Sequence, residues 1–143
     1  MSLDSYKEHF TTLIEAGFVA VNQSDEDSAV KLFKAAEVLK PGNFLPQLGL
    51  GYMHLCKLEL SQASKIFTNV LEKEPENEIA KAFLGLCLSL NPSEVDKGAD
   101  ILKETDKTTK DPLLKNLTSS ALTFVDKFVK KAPTPTQGPQ KNK

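Results

Sequence analysis

Apolar residues recur at helical spacing in two stretches of the chain that are related by a constant shift in sequence. In each stretch they occupy positions i, i+3, i+4 and i+7: Ala29, Leu32, Phe33 and Ala36 in the first, and Ala63, Ile66, Phe67 and Val70 in the second. Because an α-helix has about 3.6 residues per turn, each set lies on one helix face. The pattern therefore predicts two equivalent amphipathic helices.

The same 34-residue shift links residues that begin, end or pack helices. It relates three glycines, two prolines that stop a helix and three polar residues that can cap one: Gly17, Gly51 and Gly85; Pro41 and Pro75; Asn43, Asn77 and Asp111. Glycine inside a helix costs about 1 kcal/mol relative to alanine, so its recurrence indicates close approach of a second helix, with Ala29 and Ala63 as the facing small residues. A 34-residue period is that of the tetratricopeptide repeat, a pair of helices that stacks on its neighbours.

The expected fold class is all-α: a right-handed α-solenoid of three tetratricopeptide-like helix pairs with a C-terminal capping helix and a disordered tail. The domain spans residues 1–131, with repeats at 10–43, 44–77 and 78–111 and the capping helix at 112–131. First helices are predicted over about 6–22, 44–57 and 78–90, and second helices over about 25–39, 60–73 and 93–107. The Pro-rich residues 132–143 bury too little apolar surface to offset the entropy of ordering.

The third unit departs from the pattern. Lys97 stands where a small residue is expected, and Gly98 and Ala99 follow one and two positions late. The run from Asn91 to Glu94 predicts a helix start with Pro92 at its first position, so a helix with shifted packing is expected. An apolar stripe on the last helix should then cover this pair: Leu114, Leu117, Ala121, Phe124, Val125 and Phe128.

Composition excludes several kinds of function. The formal charge is −1, all 18 basic residues are lysine, and no block of one sign stands out, so neither nucleic acid nor an anionic membrane is an expected partner. No stretch reaches the roughly 20 apolar residues of a membrane span. No nucleophile, phosphate-loop or metal motif occurs, which predicts a protein that is not an enzyme and needs no cofactor or metal. Cys56 and Cys87 are interpreted as buried, unpaired residues, and the chain as cytoplasmic.

The inner surface of such a stack is the remaining candidate site, because the first helices of stacked repeats line the concave side. The residues predicted to face it are almost all apolar, which predicts a groove for the apolar face of a partner helix. Nine of them form the predicted binding site: Ile14, Phe18, Val21, Leu45, Leu48, Tyr52, Leu55, Leu86 and Leu90, with Cys56, Ile79 and Ala82 on the same face.

Four segments carry a resemblance to a known family: L-I-E-A-G-F-V-A, A-V-K-L-F-K-A-A-E-V-L-K-P, L-P-Q-L-G-L-G-Y and A-K-A-F-L-G-L-C-L, within residues 10–111. The chain resembles the small tetratricopeptide chaperones of bacterial type III secretion, in particular the needle-subunit chaperone. The resemblance implies that the groove encloses the amphipathic C-terminal helix of the self-polymerising needle subunit in the bacterial cytoplasm, with a small helical co-chaperone as a further partner. It places Phe18, Leu48, Tyr52, Leu55 and Leu86 in the groove wall.

Other functions remain open at this point. One is a chaperone for the larger translocator proteins of the same secretion system. Another is an adaptor that binds a short linear peptide in the same groove. The free protein could also form a homodimer through its exposed groove.

Overall fold

The described structure is helical throughout. The computed structural model describes residues 3–130, without the side chains of residues 3, 4 and 6, and no strand occurs in that range. The all-α expectation is thereby confirmed. The helices are α1 (Leu3–Asn22), α2 (Glu26–Leu39), α3 (Leu45–Cys56), α4 (Leu60–Lys73), α5 (Glu78–Ser89), α6 (Val95–Thr108) and α7 (Pro112–Phe124), and a π-helical turn over Val125–Val129 extends α7.

The helices pack first with their neighbours in the chain. The pairs α1–α2, α3–α4 and α5–α6 form three helical hairpins, and α2 contacts α3 as α4 contacts α5. Successive first helices also contact one another, α1 with α3, α3 with α5 and α5 with α7. The first helices and α7 therefore share one layer, with α7 added to it in the way that α5 is added to α3.

Side-chain caps hold three helix starts as the sequence predicts. The Asn77 carboxamide oxygen accepts a hydrogen bond from the Ala80 amide at 3.0 Å, and Asp111 accepts one from Leu113 at 2.9 Å. Asn43 accepts from the Leu45 amide at 2.9 Å in the turn that leads into α3. Each bond satisfies an amide that the first turn of a helix leaves without an intrahelical partner.

Buried phenylalanine rings lie nearest to the first two of the recurring glycines. A Cβ built on Gly17 would lie 2.5 Å from the Phe33 ring, and one on Gly51 would lie 2.6 Å from the Phe67 ring. Ala29 and Ala63 are fully buried in the second helices, but the atoms nearest to these glycine positions belong to Phe33, Phe67 and Ile66. The missing side chain makes room for an aromatic ring of the second helix, because no larger residue would leave that space free.

The third pair repeats this packing one residue late. The ideal Cβ position of Gly85 lies 3.0 Å from Leu102 and 3.2 Å from Ile101, whereas that of Gly51 lies 2.6 Å from Phe67 and 3.2 Å from Ile66. Both contacts have therefore moved one residue further along the chain than the 34-residue register requires. Lys97 is exposed while Gly98 and Ala99 are buried. The predicted shift in packing is confirmed.

Backbone geometry explains the shift. In the turns of the first two pairs, Ser24 and Leu58 adopt left-handed φ angles of 60° and 58°. The equivalent residue in the third pair is Pro92, whose ring fixes φ at about −65°, so the same turn cannot form. A longer turn replaces it, and α6 begins at Val95 and not at Ser93 as predicted. Asn91 caps this turn, since its side chain accepts from the Ser93 amide at 3.2 Å.

The last helix docks through one narrow face. Leu114, Thr118, Ala121 and Val125 are buried. Thr118 and Ser119 each donate a hydrogen bond to the Asp106 carboxylate, at 2.8 and 2.9 Å, which ties α7 to α6. These bonds hold the pKa of Asp106 below its ordinary value of 3.8.

Part of the predicted covering stripe is instead open to solvent. Phe124 and Phe128 are 45% and 62% exposed, with ring centroids 5.2 Å apart. The stripe prediction is wrong for these two residues, because they lie to one side of the helix face that α7 buries. The final turn is π-helical where an α-helix was predicted, and the predicted disordered tail, residues 132–143, lies outside the described residues.

Candidate partner-binding site

A row of aromatic rings runs across the layer of first helices. Phe18 of α1 lies 5.6 Å from Tyr52 of α3, and Tyr52 lies 5.8 Å from Phe83 of α5, measured between ring centroids. All three side chains are half-buried. Each therefore presents one part of its ring to the core and another to the surface, as residues at protein interfaces commonly do.

Buried rings of the second helices pack against the inner side of this row. The fully buried Phe33 packs edge-on against Phe18 at 5.3 Å, and the fully buried Phe67 lies 5.4 Å from Phe83. The glycines of α1 and α3 let these supporting rings approach the first helices closely. The surface row is thus fixed by the same packing that joins the helix pairs.

Tyr52 adds a polar contact at the centre of the row. Its hydroxyl donates a hydrogen bond to the Asn22 side-chain oxygen at 2.8 Å, which links α3 to the end of α1. Burial raises the pKa of Tyr52, and the neighbouring Cys56 side chain raises it further, so the hydroxyl stays a donor at neutral pH. The ring is consequently held by contacts at both its face and its tip.

The nine residues predicted for the groove separate into two groups. Ile14, Val21, Leu48 and Leu55 are buried, with only 2% of Leu48 exposed, and they belong to the clusters between helices. Because these four are buried inside the clusters, they support the surface and do not form it, which corrects their placement in the lining of the groove. The other five are half-buried and reach the surface: Phe18, Leu45, Tyr52, Leu86 and Leu90.

Sequence reasoning missed Phe83, which completes the aromatic row. Its equivalent in the preceding pair is Gly49, whose ideal Cβ position is occupied by the edge of the Phe33 ring. The repeat register therefore does not indicate a surface aromatic residue at this position, because one unit has glycine there and the next has phenylalanine. Its i, i+3 relation to Leu86, on the same face of α5, was the available signal.

A group of charged residues lies at the C-terminal end of α3. The Lys57 ammonium is 2.6 Å from Glu59 and 2.9 Å from Glu26, so it bridges the α3–α4 turn to α2. Hydrogen bonds to Glu59, and then to Glu26, raise the pKa of Lys57, and the same contact lowers the pKa of Glu59. Lys57 and Glu26 are exposed and Glu59 is half-buried, and ion pairs near the surface contribute little to stability.

The described residues hold no arrangement suited to metal binding. Within residues 3–130, no group of three or more His, Cys, Asp or Glu side chains could hold an ion.

The two cysteines differ, since Cys87 is buried and Cys56 is exposed, so the interpretation of both as buried is wrong for Cys56. Burial raises the pKa of the Cys87 thiol to about 11. None of the described helices is both long and apolar enough to span a bilayer.

Comparison with known protein families identifies the family of the chain. A sequence model of a family of bacterial type III secretion proteins, HrpB1_HrpK, matches residues 2–118. The chain belongs to the HrpB1_HrpK family. The match covers the three helix pairs and the first half of α7. All three residues of the aromatic row therefore lie within the matched region. Searches of curated proteins and of solved structures returned no match.

Proposed function

We propose that this HrpB1_HrpK family member is a cytoplasmic chaperone of bacterial type III secretion that binds an amphipathic helix of the needle subunit. The observation that carries the proposal is the row of half-buried Phe18, Tyr52 and Phe83 across three successive first helices. We infer that the helix pairs form a right-handed α-solenoid of tetratricopeptide type and that this row lines its concave face. A type III secretion family supplies the context in which such a partner occurs.

The chemistry of the surface supports a helical partner. Leu45, Leu86 and Leu90 flank the rings and are also half-buried, so the surface is apolar across two of the three pairs. Such a surface recognises the apolar face of an amphipathic helix, which presents side chains at every third or fourth residue. Masking that face would keep a self-polymerising subunit from assembling before export.

The proposed role is binding without catalysis, metal or cofactor. The partners are the needle subunit and a small helical co-chaperone, with neither nucleic acid nor a membrane involved. When no partner is present, the same apolar surface would favour a homodimer, because it would otherwise remain in contact with water.

Affinity capture from the native bacterium tests the proposal. The tagged full-length chain should retain the needle subunit, identified by mass spectrometry as a chain of fewer than about 100 residues with an amphipathic C-terminal helix. Tyr52→Asp and Leu90→Asp should each abolish retention, since a charge cannot be desolvated against the partner's apolar face. Val38→Asp is the matched control, because Val38 is 79% exposed on α2, outside the layer of first helices.

Each outcome separates the alternatives. Retention of a larger secreted translocator in place of the needle subunit would replace the proposed partner. Retention of the needle subunit by both groove variants, with circular dichroism showing that they are folded, would refute the binding site.

A further inference from the structure

A stripe of apolar residues on α7 reaches the surface: Leu113, Phe124 and Phe128 are exposed and Leu117 is half-buried. Three of these residues lie in register with surface residues of α5. Leu113, Leu117 and Phe124 follow Ile79, Phe83 and Leu90, each by one 34-residue period. The two sets therefore occupy the same positions around their helices. Because α7 packs on α5 as α5 packs on α3, equivalent positions face the same side of the layer.

The first and last of these three positions change from polar to apolar along the layer. In the first helix they hold Thr11 and Asn22, in α3 Leu45 and Cys56, and in α5 Ile79 and Leu90. In α7 they hold Leu113 and Phe124, of which 80% and 45% are exposed. The most accessible apolar surface in the layer is thus at its C-terminal end.

We propose that α7 forms the fourth wall of the binding groove, and that its exposed stripe receives the apolar end of the partner's amphipathic helix. This inference rests on the proposed function. It assigns to α7 a binding role in addition to that of covering the third helix pair.

The area of the stripe favours a partner that crosses several helices. An aromatic side chain buries about 150–250 Å², so Phe124 and Phe128 at their observed exposures offer about 200 Å² together. A stable interface needs about 800 Å² on each partner. Even with the smaller side chains of Leu113 and Leu117 added, the stripe falls short of this area, so a partner seated there must also cover the half-buried apolar residues of α5 and α3.

Helix geometry gives the length of such a partner. Packed helices lie about 8–10 Å apart, so the row α1–α3–α5–α7 is about 24–30 Å long. A helix rises about 1.5 Å per residue, so one that crosses the whole row needs about 16–20 residues. Its apolar residues should be densest where it meets α5 and α7.

Binding of a labelled peptide to the full-length chain tests this inference. The probe is a synthetic peptide of the C-terminal amphipathic helix of the needle subunit, and the measurement is fluorescence anisotropy. Phe124→Ser should weaken binding about tenfold, equivalent to about 1.4 kcal/mol, and Leu113→Ser should weaken it in the same direction. Val38→Ser is the matched control and should leave the affinity unchanged, because Val38 is as exposed as Leu113 but lies on α2.

The outcomes distinguish this inference from the function on which it rests. If Tyr52→Asp abolishes binding while Phe124→Ser and Leu113→Ser behave like Val38→Ser, the groove ends at α5 and only the role of α7 is overturned. If the parent chain does not bind the peptide, both proposals fail. If sedimentation shows that Phe124→Ser converts a dimer to a monomer at unchanged peptide affinity, the stripe joins two copies of the chain and the inference is overturned.

Discussion

The first two helix pairs and the third reach the same packing by different routes. In α1–α2 and α3–α4, a phenylalanine at the same separation from the glycine fills the space beside it, Phe33 for Gly17 and Phe67 for Gly51. In α5–α6 the residue nearest to the Gly85 position is Leu102, with Ile101 beside it, and Leu102 lies one position further along the chain than the register requires. The repeated requirement is a bulky apolar side chain set against a glycine, and the turn between the helices decides which residue supplies it.

The largest expected effect tests the one-residue shift directly. Ala63 is fully buried, whereas Lys97, its equivalent in the third pair, is exposed. Ala63→Lys should lower the free energy of unfolding by about 3 kcal/mol or more, because it buries an unpaired charge in a packed site. Lys97→Ala should change it by less than about 0.5 kcal/mol. Urea denaturation of both variants provides the measurement, and equal effects would show that α6 keeps the strict register.

The closest helix approach lies in the shifted pair. A Cβ on Gly98 would collide with the Ser89 backbone nitrogen, whereas one on Gly51 would meet the edge of the Phe67 ring. Backbone cannot move without separating α5 from α6, so Gly98→Ala should lower the free energy of unfolding by about 1–3 kcal/mol. Gly51→Ala should lower it less. Gly42→Ala is the control, since no atom lies within 4 Å of that Cβ position, and thermal unfolding would rank the three.

The turn that distinguishes the pairs carries strain in α3–α4. Leu58 is exposed and adopts a φ of 58°, a left-handed conformation unfavourable to a branched side chain. Leu58→Asn should raise the free energy of unfolding by about 0.5–1 kcal/mol, because asparagine tolerates this conformation. Ser24→Asn should act in the same direction in the first turn. A melting temperature of Leu58→Asn below that of the parent would contradict this account of the turn.

The smallest expected effect concerns the attachment of α7 to the shifted pair. The folded-state pKa of Asp106 is lowered, so its contribution to stability is complete above its ordinary pKa of 3.8 and is lost as the pH falls through the folded value. Asp106→Asn should therefore remove this part of the pH dependence of the free energy of unfolding below about pH 4. Unfolding followed between pH 2 and pH 5 measures the difference, and identical profiles for variant and parent would exclude the carboxylate as the source.

Periodicity was enough to predict the helices and the pair that differs. The repeat register predicted the helix pairs, and Lys97, at a position that is alanine in the other two pairs, indicated the altered packing of α6. Two features could not be obtained in this way. The side chain that fills the space beside each glycine depends on how far it reaches across a helix interface. The burial of Leu48 depends on how α4 and α5 pack around it. Both are set by tertiary packing, which the one-dimensional pattern does not contain.

The same limit applies to the candidate site. Half-buried and buried apolar residues have the same sequence signature, so the pattern could not separate Tyr52 from Leu55. Phe83 was not predicted as a surface residue of the site, because its repeat equivalent, Gly49, is a glycine. The exposed part of the α7 stripe was assigned to the core for a similar reason, since its periodicity shows that the residues share a face but not which neighbour that face meets.

The central claim is that the aromatic row masks the polymerising helix of a needle subunit. Light scattering by the purified needle subunit tests it most directly. An equimolar amount of the parent chain should keep the scattering at its initial value, and Tyr52→Asp should allow the same rise as buffer alone, while Val38→Asp protects as the parent does. Needle assembly at an equal rate with and without the parent chain would contradict the claim.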